Sequence, residues 1–171
     1  MALTKIGDAG MPSGAILQVV QTVDTTAQSL SSSAGWNDLG TLSAAITPSS
    51  TSNKILLSCH IGSLDHSQNS YVVFLKYLRG STDIGIPATA GSRTIATTGI
   101  RGTSSGDTNA IHPVVMPQFL DSPSSTSALT YKVQYNNLNG SAFYYLRDAN
   151  DSDAAGYGRF IATLTLMEVA G

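Results

Sequence analysis

Short apolar or alternating segments recur along the chain from Ala15 onward, and clusters of Ser, Thr, Gly and Pro separate them. Each segment has the length of a β-strand, and this spacing is typical of a sandwich or a barrel. The pattern predicts an all-β domain over residues 15–171, an antiparallel β-sandwich that is jelly-roll-like. The clearest predicted strands are residues 16–21, 39–47, 54–61, 71–79, 114–120, 129–138 and 160–169.

The order of side chains within these segments predicts their places in the sheets. In 54–61 the odd-numbered apolar residues share one face, so that face turns to the core. Segment 71–79 is apolar on both faces and is predicted to lie in the middle of a sheet. Prolines flank or interrupt 114–120, which favours an edge strand. Segment 160–169 carries apolar residues on one face, and we expect it to be tied into the sheet.

Asn139 and Gly140 lie between the segments 129–138 and 141–147. An Asn-Gly pair tolerates the positive φ angles of a two-residue type I′ turn. The sequence therefore predicts that these two segments form a β-hairpin.

The remaining stretches predict an arm, long loops and repeated corners. Residues 1–14 contain three glycines and a proline, and we expect an extended N-terminal arm. Residues 80–109 are predicted to be surface loops, with weak strands around Ile84 and 93–97. The pentapeptide Pro-Ser-Ser-Thr-Ser occurs at 48–52 and again at 123–127, each time before a strand. It is a competent turn, and a duplication of the chain is the alternative interpretation.

Composition narrows the possible classes. Only 12% of the residues are charged, whereas 23 are Ser and 18 are Thr, so the surface is neutral and rich in hydroxyl groups. Glu168 is the single glutamate, and lysines number four, so the usual residues of exposed helices are scarce. Helical bundles and coiled coils are excluded.

Charge and hydropathy also argue against several partners. The net charge of −2, without a basic run, predicts neither nucleic-acid nor membrane-surface binding. The longest apolar run, 71–75, is far too short to cross a bilayer. The N-terminal region lacks a secretion signal pattern, so we expect no conventional secretion. The one cysteine, Cys59, allows no internal disulfide.

Residues 102–106 match the G-x-S-x-G pattern of a nucleophile elbow, and Asp107 and His112 follow. An elbow needs a strand before its serine and a helix after it. No helical pattern follows Gly106, so the segment is interpreted as an ordinary loop and no catalytic residue is assigned.

Three histidines could in principle join Cys59 in a zinc site. His60, His66 and His112 lack a recognised ligand spacing, and Cys59 points away from its neighbour His60 on a strand. We expect Cys59 to be a small core residue, and no metal ligand is assigned.

Residues 148–153 gather oxygen ligands of the kind that calcium prefers. They do not fit an EF-hand, because Asp153 stands where glycine is needed and Arg159 where a glutamate is needed. A solvated turn is the favoured interpretation, and an irregular calcium site is left open. No cofactor is assigned.

Aromatic residues cluster on the predicted hairpin, and Trp36 stands alone beside Asn37 and Asp38. The cluster is favoured as cross-strand packing, with sugar stacking as the alternative and exposure at a subunit contact possible for a few. Its members are Tyr131, Tyr135, Phe143, Tyr144 and Tyr145.

Several ordered segments of the chain resemble small structural proteins of tailed bacteriophages, particularly phages of aquatic bacteria. They are residues 1–6, 14–20, 46–57, 78–81, 121–123, 130–133 and 164–168. The resemblance implies a β-rich, non-enzymatic module of the virion, annotated in such phages as tail-fibre, head-fibre or generic structural protein. Related modules often assemble as trimers, and no site residues transfer from this family.

These observations predict a virion structural protein that is assembled in the host cytoplasm. Residues 1–14 would anchor it to another virion protein, and residues 15–171 would form a homotrimeric knob. Two places compete: a tail- or head-fibre tip that exposes the loops 80–109 to a host glycan or receptor, and a capsid decoration protein that stabilises the head. A free carbohydrate-binding module that uses Trp36 or the hairpin tyrosines is the alternative class.

Overall fold

A computed structural model describes residues 11–30, 35–66, 71–102, 111–138 and 142–171 of the chain. Within those ranges the chain forms β-strands and no helix, so no helix there could span a membrane. The strands are β1 (Ile16–Asp24), β2 (Gln28–Leu30), β3 (Asn37–Ile46), β4 (Lys54–Ile61), β5 (Leu64–His66), β6 (Tyr71–Arg79), β7 (Thr82–Ile84), β8 (Thr98–Gly102), β9 (Val114–Val115), β10 (Phe119–Asp121), β11 (Leu129–Asn137), β12 (Phe143–Tyr145) and β13 (Ala162–Val169).

The strands form two five-stranded sheets and one small sheet, all antiparallel. Sheet A has the order β1-β13-β4-β10, and β9 also pairs with β4. Sheet B has the order β3-β11-β6-β7, and β8 also pairs with β6. The small sheet has the order β2-β12-β5. The predicted all-β, antiparallel sandwich is confirmed, whereas its jelly-roll connectivity and its N-terminal arm stay predictions.

The inner faces of sheets A and B share one hydrophobic core. Sheet A contributes alternate residues of β4 and β13, and sheet B contributes alternate residues of β3, β6 and β11. Full burial of one aliphatic side chain stabilises the fold by about 1.5–3 kcal/mol. Core residues with at most 1% exposure include Leu39, Leu42, Ile55, Leu57, Cys59, Ile61, Val73, Leu75, Tyr77, Tyr131, Val133, Ala162, Leu164 and Leu166.

Several predicted strands are confirmed with their positions. β4 and β6 begin and end where the pattern predicts, and β6 lies inside its sheet. β13 lies between β1 and β4, so the strand near the end of the chain is tied into sheet A. The predicted edge strand 114–120 is present as β9 and β10, which Pro117 separates.

The predicted hairpin is wrong. β11 pairs with β3 and β6, whereas β12 pairs with β2 and β5. Phe143 and Tyr145 become fully buried in this arrangement, and burial of two aromatic side chains outweighs a local turn preference. Residues 139–141, which include the Asn-Gly pair, lie outside the described residues.

The loop prediction for 80–109 is correct in part. A strand does surround Ile84, but the second strand is β8 at 98–102 and not 93–97, which precedes it as irregular chain. Thr97 directly precedes β8 and is already bonded to β6, because its N–H donates to the Leu75 carbonyl at 2.8 Å. Residues 103–110 lie outside the described residues.

The first strand, β1, turns its more polar side to the interior and exposes two of its valines. Its inward side chains are largely polar and bond to β3, whereas Val19 and Val23 are 57% and 50% exposed on the outside. The contacts with β3 and the residue that follows it are Thr22 Oγ1 to the Ser43 carbonyl (2.8 Å), Gln18 Nε2 to the Thr47 carbonyl (2.8 Å) and the Thr41 N–H to Asp24 Oδ2 (2.9 Å). Side chains of β1 thus satisfy polar backbone groups at the edge of sheet B.

The two Pro-Ser-Ser-Thr-Ser segments make the same local bond. The Ser52 N–H donates to Ser50 Oγ at 3.3 Å, and the Ser127 N–H donates to Ser125 Oγ at 3.0 Å. Each bond joins a hydroxyl to the backbone two residues on, which is the turn chemistry predicted from the sequence.

The end of the predicted arm that is described lies beside the last strand. The Gly14 N–H donates to the Ala170 carbonyl at 2.8 Å, and the Ala170 N–H donates to the Ala15 carbonyl at the same distance. Residues 1–10 of the arm lie outside the described residues.

Candidate functional site

A shallow groove of about 260 Å³ lies on the outer face of sheet B. The loop 85–97 folds back over β6 and forms one wall, while β8 forms the other. The lining residues are Val72, Phe74, Pro87, Thr94, Ala96, Thr98, Gly99, Ile100 and Arg101. The groove therefore lies within the stretch whose loops the sequence predicts to be exposed.

Backbone bonds and one glycine shape the groove. Thr97 fixes the end of the loop on β6, because its Oγ1 accepts from the Tyr77 N–H at 3.3 Å. A side chain at Gly99 would place its Cβ 2.8 Å from Phe74 Cδ1 and 3.0 Å from the Val73 carbonyl oxygen. The absence of a Cβ at position 99 thus lets Phe74 lie against β8 and form the floor of the groove.

The groove combines an apolar floor with polar groups at its rim. Phe74, Pro87 and Ala96 supply the apolar surface, Thr94 supplies a hydroxyl, and Arg101 is an exposed cation. A guanidinium binds carboxylates or phosphates through paired N–H donors, whereas an aromatic ring packs against apolar rings. This arrangement suits non-covalent binding of a ring-sized group that carries an anionic or hydroxyl substituent.

Trp36 is covered on one side by a cation. The Lys76 ammonium lies 4.4 Å from the centre of the Trp36 ring and 2.6 Å from Asp83 Oδ1. Lys76 is almost fully buried, so the three side chains form a fixed cluster beside the groove. The face of Trp36 under Lys76 is thus unavailable as the sugar platform considered from the sequence.

The aromatic residues of the predicted hairpin serve packing, as the favoured interpretation states. Tyr131, Phe143 and Tyr145 are fully buried, and Tyr135 is 5% exposed. The Tyr135 and Phe143 rings meet edge to face with centroids 4.9 Å apart. Tyr144 is half-buried, and the Arg147 guanidinium covers it at 4.4 Å. The alternative of a sugar platform on these buried rings is wrong.

The candidate zinc ligands lie in different places. Cys59 is a core residue, as predicted, and burial raises the pKa of its thiol to about 12. His60 lies on the opposite, outer face of β4. His66 stacks on Tyr71 at 4.9 Å, and the Tyr71 hydroxyl lies 3.1 Å from His112 Nε2. No group of three potential metal ligands occurs among the residues that the structure describes.

The G-x-S-x-G segment is described only at its first residue. Gly102 ends β8, and a Cβ there would overlap the Tyr71 ring. Ser104 and Asp107 lie outside the described residues. When the described chain resumes, residues 111–113 lead directly into β9.

Two of the three carboxylates of the 148–153 loop, those of Asp148 and Asp151, are engaged by protein donors. Asp148 is buried and accepts from the Gly158 N–H at 2.5 Å. Asp151 pairs with Arg159 and lies 3.7 Å from the Arg147 guanidinium. These pairs give the loop an internal framework, which fits the solvated-turn interpretation.

Burial of carboxylates is the feature that sequence reasoning missed. Glu168 is 1% exposed and accepts from Asn53 Nδ2 and the Ser49 N–H at 2.6 Å each, from Ser49 Oγ at 2.7 Å and from Gln18 Nε2 at 2.6 Å. Burial would raise the pKa of Glu168, but these donors outweigh it and hold the pKa below its usual value. The signal was its position, at an inward-facing place of the alternating strand β13.

Asp24, Asp65 and Asp121 are buried in the same way. Asp24 accepts from two backbone N–H groups and from the Tyr145 hydroxyl, and its pKa is lowered although burial alone would raise it. Asp121 accepts from Arg79 at 2.6 Å and from the Tyr131 hydroxyl at 2.7 Å. Negative charge is therefore withdrawn from an already sparsely charged surface.

Comparison with known proteins gives no relative. No protein-family model matches the chain, and no curated protein sequence matches it at a significant level.

Proposed function

We propose that this chain is a non-enzymatic structural protein of a bacteriophage particle, a β-sandwich module that forms a tail- or head-fibre knob. The observation that carries the proposal is the contrast between the two outer faces of the sandwich. The outer face of sheet A is uncharged over most of its area and exposes several apolar side chains, whereas loop 85–97 builds a groove with an exposed Arg101 on sheet B. A module with an assembly side and a binding side fits an appendage that is docked on a particle and touches the host.

The sequence resemblance supports the same function. It adds the expectation that residues 1–14 anchor the module to another virion protein and that related modules assemble as homotrimers. Residues 11–14 leave the sandwich beside the last strand, so an arm that precedes them would begin at that end of the domain. Ordering of such an arm on its partner would add contact area at the cost of chain entropy.

Particle incorporation tests the proposal directly. The protein should sediment with purified particles of the virus that encodes it, and deletion of residues 1–14 should abolish incorporation while the β-sheet circular dichroism stays unchanged. Recovery of the full-length protein only in the soluble fraction would contradict the virion assignment. Incorporation of the truncated protein would contradict the anchoring role alone.

The groove is the proposed contact with a host glycan or receptor. Arg101→Ala should reduce adsorption of particles to host cells at least about tenfold, because it removes the cation at the rim of the groove. Arg159→Ala is the control, since Arg159 is also an exposed arginine but lies in the 148–160 region. Equal adsorption by both variants would move the receptor contact away from the groove.

Capsid decoration is the alternative role for the same module, since the largely uncharged outer face of sheet A would also suit contact with a capsid lattice. Immunogold labelling of particles separates the two, because a decoration protein labels the head at many sites and a fibre protein labels an appendage. A free carbohydrate-binding module is the alternative of another class. This alternative would be eliminated by a glycan array that gives no signal with the unchanged protein and gives the same result with the Trp36→Ala variant.

A further inference from the structure

The central part of the outer face of sheet A consists of three rows of side chains that run across the strands, and a further row with Ile16, Val169 and Lys54 lies at one end of the face. The first row joins Val23, Thr163, His60 and Val115. The middle row joins Gln21, Thr165 and Ser58. The last row joins Val19, Met167, Leu56 and Leu120.

Exposure on this face is high for apolar side chains. Val115 is 66% exposed, Val19 57%, Val23 50% and Leu120 45%, and Ile161 beside the first row is 55% exposed. An apolar groove of about 270 Å³ follows the first row, lined by His60, Ile61, Gly62, Pro113, Val114, Val115, Ile161 and Thr163. Contiguous apolar surface of this kind marks interaction sites on soluble proteins.

The three rows contain no Asp, Glu, Lys or Arg. Lys54 lies beyond the last row, where β4 begins. Two copies of this face can therefore approach each other without like-charge repulsion and without leaving a buried charge unpaired.

The two outer rows resemble each other at their ends. Val23 and Val115 end the first row, Val19 and Leu120 end the last row, and a row of hydroxyl and amide groups lies between them. A two-fold axis in the plane of the face and along the middle row places the first row of one copy on the last row of the other. Val115 then lies opposite Leu120, and Val23 lies opposite Val19, while the middle rows face each other.

We infer that the outer face of sheet A binds a second copy of this chain in this two-fold arrangement. Isologous contacts require a surface that complements itself, and the row order meets that requirement. Stacked sheets of two sandwiches pack through interdigitating side chains in the same manner as the two sheets inside one sandwich.

The size of the face is sufficient for such a contact. The whole face, with the end row that holds Lys54 and with residues 114–121 in the fourth strand position, covers about 26 Å by about 19 Å, given ~3.3 Å per residue and ~4.8 Å between strands. The contact then buries about 1,000 Å² in total, the lower bound for a specific interface. We expect a dissociation constant in the micromolar range.

This inference deepens the proposed function by naming a partner for the outer face of sheet A. It rests on the side chains of that face and not on the virion assignment. Self-association is measured with the purified full-length protein, whereas the virion assignment is measured by incorporation into particles. Either result can fail while the other holds. The trimer implied by the sequence resemblance would use other surfaces.

Charge substitutions test the arrangement. Sedimentation velocity and native mass spectrometry should detect dimers of the unchanged protein, and Val115→Glu should raise the dissociation constant at least about tenfold because it buries a carboxylate. Leu138→Glu is the matched control, since Leu138 is 54% exposed but lies off the face, after β11. It should leave the dissociation constant within about twofold, as expected of a surface substitution.

A second substitution in the same chain gives a sharper test. In the two-fold arrangement the carboxylate of V115E faces position 120 of the other copy, so the double variant V115E/L120K should recover most of the lost affinity. L120K alone should weaken association as V115E does. Circular dichroism checks that every variant keeps its β-sheet spectrum.

Cross-linking locates the axis. Thr165→Cys lies on the middle row, so a short bifunctional maleimide should link two copies through this position. Thr130→Cys on the outer face of sheet B is the control and should not be linked. Cys59 does not interfere, because it is fully buried.

Three results would overturn the inference. The first is a monomer at concentrations of several hundred micromolar. The second is a dimer or trimer whose dissociation constant V115E and L138E change equally. The third is no recovery in V115E/L120K when each single substitution weakens association.

Discussion

At the scale of single residues, buried carboxylates join parts of the chain that lie far apart in sequence. Glu168 on β13 accepts hydrogen bonds from Gln18 on β1, from Ser49 within the first Pro-Ser-Ser-Thr-Ser turn and from Asn53 directly after it. Charge-assisted hydrogen bonds of this kind are stronger than neutral ones. One side chain therefore fixes two strands and a turn at the end of the sandwich where the predicted arm begins.

Replacement of this carboxylate should destabilise the fold. We expect Glu168→Gln to lower the free energy of unfolding by about 1–3 kcal/mol, because an amide cannot accept all four donors in charge-assisted bonds. Urea denaturation measures the change. Asp38→Asn is the control, since Asp38 is an exposed acceptor of Lys132 and Gln134 and should cost less than about 1 kcal/mol. Equal losses in the two variants would contradict the role given to Glu168.

Acid should remove the same stabilisation. The pKa values of Glu168 and Asp24 are lowered in the folded protein, so their stabilising contribution is complete above the unfolded values of about 4. It is lost as the pH falls through the folded pKa values. Unfolding free energies measured between pH 7 and pH 2 should therefore decrease below about pH 4, and Glu168→Gln should show a smaller decrease. An identical acid profile in the variant would refute this assignment.

At the scale of elements, strands whose side chains alternate clearly were predictable. β4 shows its buried face directly in the order of Ile55, Leu57, Cys59 and Ile61, and β6 shows by its two apolar faces that it is covered on each side. Short strands without a period were not predictable. β2 and β5 have three residues each, and only their pairing with β12 across the fold makes them strands.

The hairpin prediction failed because non-local contacts override local preference. Asn139 and Gly140 favour a hairpin, but Phe143 and Tyr145 are buried in another sheet. Non-local contacts also orient β1, since its polar side chains turn inward and bond to the edge of sheet B. The groove on sheet B was predictable only as an exposed loop region, since its walls are 11 or more residues from its floor.

Two positions on β13 provide a matched test of the sandwich. We expect Leu164→Ala to lower the free energy of unfolding by about 2–5 kcal/mol, because Leu164 is fully buried between the sheets. Met167→Ala, on the outer side of the same strand, should cost less than about 1 kcal/mol in dilute protein. Thermal or urea unfolding below the micromolar range gives both values. A larger loss at position 167 would mean that this side of sheet A is covered within the single chain.

At the scale of the whole molecule, the few charged side chains are distributed unevenly between the faces of the sandwich. Among the described acidic residues, five are buried, and three of the four others lie within ion-pair distance of Lys or Arg. The three rows on the outer face of sheet A then carry neither sign, while Arg101 stays exposed at the groove on the opposite side. The two outer faces of the sandwich thus differ in charge, although the net charge of the chain is only −2.

Association through an uncharged face should respond little to salt. The dissociation constant of the inferred dimer should change by less than about twofold between about 0.05 M and about 0.5 M sodium chloride, since no ion pair is screened. Sodium sulfate should strengthen it, because excluded salts favour burial of apolar surface. Sedimentation velocity at each salt concentration measures the effect. A strong weakening in sodium chloride would indicate a charged interface elsewhere on the molecule.

The position of β13 between β1 and β4 also sets the timing of folding during synthesis. Residues 16–24 can pair with their partner strand only after residues 162–169 have been made, so sheet A has no continuous ladder while most of the chain emerges from the ribosome. Chains with such distant pairing fold slowly and expose strand edges while they wait. The nascent protein therefore spends its longest vulnerable period with β1 and one edge of β4 unpaired, and its yield in a cell depends on how quickly one late strand inserts.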